Sequence, residues 1–398
     1  MVPTCVIHGM KINLTEIQKL HPGGSIAISL AENQDISVLF DQYHFGSSIK
    51  KQLDSTHPHP KSTFYSELYC EMKKLPSLKI TTLSLVLNSL VAVGAGVSWF
   101  GWLSGSVLSC LLLPFFQWLF FVNVGHEAGH FALSKFPIVN HTACLLSHFL
   151  FVNTTQWYLQ HTVSHHSHTN EINKDFDLYH FFPLLRMHSL QRWNSKLEYK
   201  FESALLVTWV TSTFAESIVY PWRMLRGSAK KTLGDSSGIL RTTWISCIAQ
   251  LTCSIGILIL PFFTQKSLIF ALFFALYPYV IGSILFMAFT QVSHINPHAQ
   301  SKPKWNHWSE QMVDTSLDYS QDSRFWTFVS GGLNMQSLHH CLPSLSCSRY
   351  REFYPTYRKL CEKHKLKIHE TKSLFTAMQL YALHIKHLSL YDDEKCIS

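Results

Sequence analysis

Charge is scarce in this chain. Of its 398 residues only 15% are Asp, Glu, Lys or Arg, against about 25% in a typical soluble domain, while 47% are hydrophobic and 14% aromatic. A surface so poor in charge excludes an ordinary water-soluble enzyme, and much of the chain is expected to face something other than water. Paired cysteines are lacking too. The 10 cysteines include no Cys-x-x-Cys and several lie inside apolar runs, which reads as reduced packing residues and not as a disulfide framework. Met1 to Leu20 has no continuous apolar core after a basic start, so no secretory signal peptide is expected and the N-terminus should stay cytosolic. The formal charge of +8 is not gathered into a stripe; this disfavours nucleic acid and leaves an anionic membrane surface as the more economical partner.

Histidine, by contrast, is abundant: there are 24, almost as many as the 25 acids. Spacing selects among them. In His161-Thr-Val-Ser-His165-His166, helical positions i, i+3 and i+4 share a face, so the three imidazoles are expected to aim at one point. His126-Glu-Ala-Gly-His130 and Gln336-Ser-Leu-His339-His340 have similar spacings. Taken singly, the first is open to a reading as interfacial histidines and the last as a chance pair. Joint occurrence favours metal ligands.

Four stretches approach the roughly 20 residues that cross a bilayer, about Ile80–Leu103, Val107–Val124, Thr242–Phe263 and Ser267–Thr290, arranged as two hairpins. Lys266 is the one basic residue in the hairpin turns, whereas the flanking regions are rich in Lys and Arg, so the positive-inside bias puts all three histidine groups on the cytosolic side. Thr142–Val152 and Ala204–Tyr220 are expected to be interfacial helices or caps. The predicted architecture is mainly α, a four-span membrane fold with a cytosolic histidine-bearing cap.

Seven imidazoles exceed the three protein ligands of a catalytic zinc and suit two metal ions. Imidazole alone does not choose the metal. His126-Glu127-x-x-His130 also satisfies the zinc metalloprotease pattern, with Glu127 as general base, and a membrane protease is a rival reading.

Residues 1–50 read as a small α+β unit and 51–79, with six lysines from Lys50 to Lys79, as a basic linker in which His57 and His59 have no role. His21-Pro-Gly-Gly24 has a plain reading as a turn. Paired with His44, it has a sharper one, two histidines placed to clasp a haem from opposite faces. These residues resemble the haem-binding half of cytochrome b5, over about the first fifty residues, which implies heme b held by His21 and His44. Members of that family usually carry another strand and helix before the equivalent of Ile7, so a trimmed unit or an upstream start is expected.

A haem donor implies redox chemistry, and iron with dioxygen uses both parts. The three histidine groups with four spans and a fused cytochrome b5 unit resemble the membrane fatty acid desaturases, and the glutamine opening the third group marks the front-end type, which acts between an existing double bond and the carboxyl end. The resemblance implies two irons held by His126, His130, His161, His165, His166, His339 and His340, with a further ligand at His294 after the fourth span. It implies that Gln336 is needed for activity. It also implies dioxygen, a membrane lipid or acyl-CoA substrate, electrons from cytochrome b5 reductase or a separate cytochrome b5, and a multi-pass protein of the endoplasmic reticulum. The usual second group is His-x-x-His-His; here three residues separate His161 from His165, which is expected to put His161 slightly off the common face. Asp175 and Asp177 are placed either to orient a liganding imidazole or merely to solvate a loop. His168, His180, His188, His298 and His307 are expected to have no part in the centre. A sphingolipid desaturase or acyl hydroxylase would share nearly all these features.

Overall fold

A computed structural model describes the chain except residues 1, 16, 18–20, 52–60, 149, 180, 182–183, 194–195, 227–239, 301–304 and 391–398, with only the backbone described at 196–199 and 240–243. His57, His59 and His180 therefore lie outside the described residues. Strands β1 (Thr4–Ile7) and β2 (Met10–Asn13) form an antiparallel hairpin. Its two-residue turn, His8-Gly9, takes positive φ at both positions (49° and 79°), the backbone that matches the twist of the strands. Helices α1 (Gly24–Ala31) and α2 (Ser37–His44) pack on it around Cys5, Ile7, Leu14, Ile28 and Phe40.

The expected linker is partly helical. Phe64, Tyr65, Leu68 and Met72 recur at helical spacing among polar residues, and α3 (Thr63–Met72), capped by the Ser62 hydroxyl, buries that stripe against Met312, Leu338 and Tyr357.

Among the described residues, four helices are long and apolar enough to cross a membrane: Thr82–Leu103, Val107–Gly129, Trp244–Thr264 and Leu268–Thr290, each within about five residues of the expected limits. The first is α4; the second starts as α5 (Val107–Phe120). Leu83, Leu85, Val86, Leu90, Val93, Val97 and Phe100 stand exposed on α4, where hydrocarbon and not water is the fitting solvent. Between α4 and α5 the contact is by close approach. A Cβ added at Gly101 would collide with the Ser109 side chain, whereas one at Gly96 would meet nothing within 4 Å. Such small-residue contacts matter in lipid, where burial away from water no longer drives helices together. Buried polar groups tie the bundle as well: Trp99 Nε1 donates to Gln117 Oε1 (2.9 Å) and Trp102 Nε1 to the Phe274 carbonyl (3.0 Å). The two hairpin turns lie side by side, since a Cβ at Gly105 would be 3.1 Å from Gln265 Nε2. The histidine groups follow the opposite ends of the second and fourth spans.

The helix Lys196–Phe214 covers part of the stretch expected as an interfacial cap. Instead its C-terminal end lies along the fourth span: Thr213 Oγ1 donates to the Tyr279 carbonyl (3.0 Å) and meets Ser283 Oγ (2.8 Å). Its polar threonines and serines made it look interfacial, but they are satisfied within the bundle. Beyond the spans, strands Leu317–Tyr319 and His369–Thr371 pair in parallel and brace the third histidine group.

Replacing Gly101 with Ala is expected to cost about 1–3 kcal/mol through overpacking, whereas Gly96→Ala is neutral; thermal unfolding of the two variants in detergent checks this.

Candidate metal centre

Each histidine group sits on a short, irregular piece of helix. α5 widens into a π-helical turn, Phe121–Gly125, just before His126–Gly129. The second group rides on a longer π-helix, Tyr158–His165, started by Asn153, whose side chain accepts the N–H groups of Thr155 and Gln156. Such wide turns gather at functional sites. Here the His166 N–H donates to the His161 carbonyl, an i→i+5 bond. That bond takes up the additional residue between His161 and His165, so His161 is not displaced from the centre as its α-helical position predicts. The third group lies on Gln336–Cys341, fixed by Asp318, which accepts the Ser337 N–H (2.8 Å) and hydroxyl (2.6 Å).

The ligand atoms fall into two main clusters. His126, His130, His161 and His339 form one; His165, His294 and His340 form the other, and His166 stands with His339 and His340 between them. The three histidines of the second group thus do not aim at one point: His161 serves one cluster and His165 the other. Within the clusters the Nε2 atoms of His126 and His130 lie 3.2 and 3.0 Å from that of His161, and those of His165 and His294 are 3.2 Å apart. Two nitrogens each about 2.0–2.1 Å from a shared metal, at angles between 90° and tetrahedral, are separated by about 2.9–3.4 Å. The residues therefore fit metal ions. Buried ring nitrogens without a partner, His339 Nε2 and both nitrogens of His166, point the same way.

Outer partners fix the rings. With Nε2 turned to the centre, Nδ1 carries the proton and donates outward: His165 to Asp175 Oδ2 (3.0 Å), His294 to the Thr315 carbonyl (3.2 Å), His339 to Tyr350 Oη (2.9 Å) and His340 to Thr169 Oγ1 (3.0 Å). His130 Nδ1 faces Tyr43 Oη at 3.4 Å. Asp175 is thus an orienting residue and not a loop solvator. Burial pushes its carboxyl up, but His165 and the N–H groups of Asn170 and Asp177 outweigh this and hold it below the usual carboxylate range. Asp177 stands 3.5 Å from His165 Nδ1 and groups with His161 and His165 as a possible ligand. Tyr350, Thr169, Thr315 and Tyr43 carry no sequence signal, because nothing local marks a hydroxyl or carbonyl that will meet a distant ring.

Burial, reinforced by neighbouring imidazoles, holds His130, His161, His166, His339 and His340 well below the ordinary imidazole range and brings His294 down to about 3. At neutral pH these rings are uncharged, with lone pairs available. Gln336 closes the second cluster. Its Nε2 lies 2.8 Å from His294 Nε2 and 3.0 Å from His340 Nε2, while its Oε1 is buried without a partner. Amide oxygen and nitrogen exchange places by a flip, which would turn the oxygen toward the two imidazole nitrogens.

Among the described residues, His168, His188, His298 and His307 join none of these clusters. His168 meets Glu171 (3.4 Å), His307 meets Ser309 (2.9 Å), His298 stacks on His369, and His188 Nδ1 accepts the Leu190 N–H (3.1 Å). Glu127 is committed elsewhere than a protease base would be: its Oε1 accepts the Ser346 hydroxyl (2.8 Å) and the Cys347 N–H (2.5 Å). His21 and His44 do face each other. Their Nε2 atoms are 3.4 Å apart with the rings tilted by 49°, a direct contact shorter than the about 4 Å that two opposed metal–nitrogen bonds of about 2 Å span. In this arrangement the pair does not fit a haem.

Phe121, Val152, Trp157, Phe286 and Leu333 line a cleft that reaches His126, His161, His165, His294 and Gln336. Trp157 stacks on His161, with ring centroids 4.1 Å apart. Gln160, Asp177, Glu216, Thr290 and Gln291 complete the wall of the cleft, so it is apolar on one part and polar where it meets the histidine cage.

The comparisons with known proteins agree. The fatty acid desaturase family model matches residues 86–372. The acyl-lipid omega-13 desaturase of Chlamydomonas reinhardtii is 31% identical, over 93% of this chain and 90% of that protein. Acyl-lipid (8-3)-desaturase B of Dictyostelium discoideum is 26% identical over 96% and 90%, and the Delta(8)-fatty-acid desaturase of Helianthus annuus 25% over 90% and 82%. The cage of buried histidines and the four helices long and apolar enough to cross a membrane are accordingly those of a member of the fatty acid desaturase family.

Proposed function

We propose that this oxidoreductase places a new double bond between an existing one and the carboxyl end of an unsaturated acyl chain, using two irons at the two histidine clusters. The observation that carries the reading is the gathering of eight buried imidazoles at two adjacent points, four at one, three at the other and His166 between them, with Gln336 completing the second. The bound irons supply the activation of dioxygen: one CH2–CH2 unit, O2, two electrons and two protons become one CH=CH and two waters. Unactivated C–H bonds leave no task for side-chain acids and bases.

The protein's own contribution is position and tuning. Phe121, Val152, Phe286 and Leu333 give the apolar part of the cleft beside the cage, where the reacting carbons would lie, and Trp157 holds His161 by stacking. Asp175, Thr315, Tyr350 and Thr169 keep the Nδ1 protons of their histidines outward, leaving Nε2 for metal. The cage sits at the cytosolic face of the endoplasmic reticulum membrane, where the Lys- and Arg-rich segments flanking the spans belong. Because the His21–His44 pair is closed, electrons come from a separate cytochrome b5 and its reductase. The substrate is an acyl chain on a membrane lipid, as the acyl-lipid names of two of the relatives favour.

In yeast fed polyunsaturated acids, the chain is expected to yield new double bonds on the carboxyl side of existing ones, read by mass spectrometry. His165→Ala and Gln336→Ala should abolish product with the protein still in the membrane; full activity in either sinks the reading. Asp175→Asn, which weakens the acceptor that His165 shares with the Asn170 and Asp177 N–H groups, should lower activity or iron affinity by about 10–100-fold. A yeast strain without cytochrome b5 should give no product until one is supplied in trans; undiminished product there shows that the chain carries its own donor.

A further inference from the structure

Helix α2 of the N-terminal unit reaches the metal centre. Gln42 is buried, at 2% exposure, and its Nε2 donates to the backbone carbonyl of His340 at 3.0 Å. The next residue, Tyr43, puts its hydroxyl 3.4 Å from His130 Nδ1 and packs edge-on against Phe131. Asp41, just before them, anchors the same helix from both sides: it accepts from His8 (3.0 Å) and Lys50 (2.5 Å) within the unit and from Trp308 Nε1 (3.3 Å) in the C-terminal region. Three consecutive side chains of an eight-residue helix are thus spent on the centre and its surroundings.

Both contacts answer a need of the centre. The carbonyl of His340 belongs to the last turn of Gln336–Cys341, where carbonyls lose their intrahelical partners, and a buried carbonyl without one is costly. His130 presents Nε2 to His161, so its Nδ1 must carry the proton and find an acceptor. Asp175, Thr315, Tyr350 and Thr169 do this for four other rings from within the desaturase region; Tyr43 does it for His130 from the first fifty residues.

Resting on the dimetal reading above, we propose that the N-terminal unit is a structural lid of the metal centre, with Tyr43 and Gln42 as positioning residues, one for each cluster. Tyr43 serves the cluster of His126, His130, His161 and His339. Gln42 serves the cluster of His165, His294 and His340. The unit therefore contributes to metal retention whether or not it carries an electron donor.

The test uses the full chain, purified in detergent and loaded with iron, with chelator release followed in time and Mössbauer spectra recorded. In Tyr43→Phe, which keeps the ring packing on Phe131, about one of two irons should leave about 10–100-fold faster, and one of the two iron environments should change in the spectrum. Gln42→Glu, which sets a carboxylate against the His340 carbonyl, should labilise the other iron, and the double variant both. Equal release of both irons in each single variant, with a lowered Tm, would show general loosening and overturn the assignment. Wild-type release and spectra in both variants would overturn it too. A wild-type chain that binds no iron pair refutes the dimetal reading instead.

Discussion

Eight imidazoles packed around two neighbouring points cannot be at rest without positive charge among them. Nε2 of His161 faces those of His126 and His130, and Nε2 of His165 faces that of His294, at hydrogen-bond distance; where Nδ1 carries the proton neither of such a pair can donate, and His339 Nε2 and both nitrogens of His166 have no partner. A buried polar atom left without a partner costs about 1–3 kcal/mol, so a handful weighs as much as the ~5–15 kcal/mol net stability of a typical domain. Metal coordination removes that penalty, and much of the surrounding architecture serves to keep the rings waiting for it. The π-turns aim the rings, Asp318 pins the third helix, and Asp175, Thr315, Tyr350 and Thr169 hold the protons outward.

The membrane part of the fold obeys a different constraint. In hydrocarbon, apolar side chains gain nothing by leaving one another's company for lipid or the reverse, so the helices are held by fit and by a few buried hydrogen bonds. Gly101 against Ser109, Trp99 to Gln117 and Trp102 to the Phe274 carbonyl are of this kind. They fix the second and fourth spans, from whose ends His126, His130 and His294 project into the shared cage.

Much of this was legible before any coordinates. Runs of apolar residues marked the four long apolar helices, and clustered histidines marked the rings that the fold gathers, because both signals are local. The failures were also physical. His161 looked misplaced because the usual i, i+3, i+4 interval of His-x-x-His-His assumes α-helical winding, and the local chain is wound wider. The stripe Phe64, Tyr65, Leu68, Met72 was hidden in a lysine-rich stretch. Helix Lys196–Phe214 looked interfacial because Thr213 is polar, although its hydroxyl is used inside the bundle. The division of the histidines into two clusters, and the reach of Tyr43 and Gln42 into them, depend on contacts between residues tens to hundreds of positions apart, which spacing does not encode.

The π-helix under the second histidine group sets a tolerance for how such a site can vary. A wide turn stores one residue without shifting either end, so the interval between the first histidine and the following pair has one residue of slack. The pair itself has none, because His165 and His166 serve different neighbours, and an insertion between them would turn one ring away from its cluster. Drift in the number of residues before the pair is therefore compatible with an intact centre, whereas a single residue gained inside it is not.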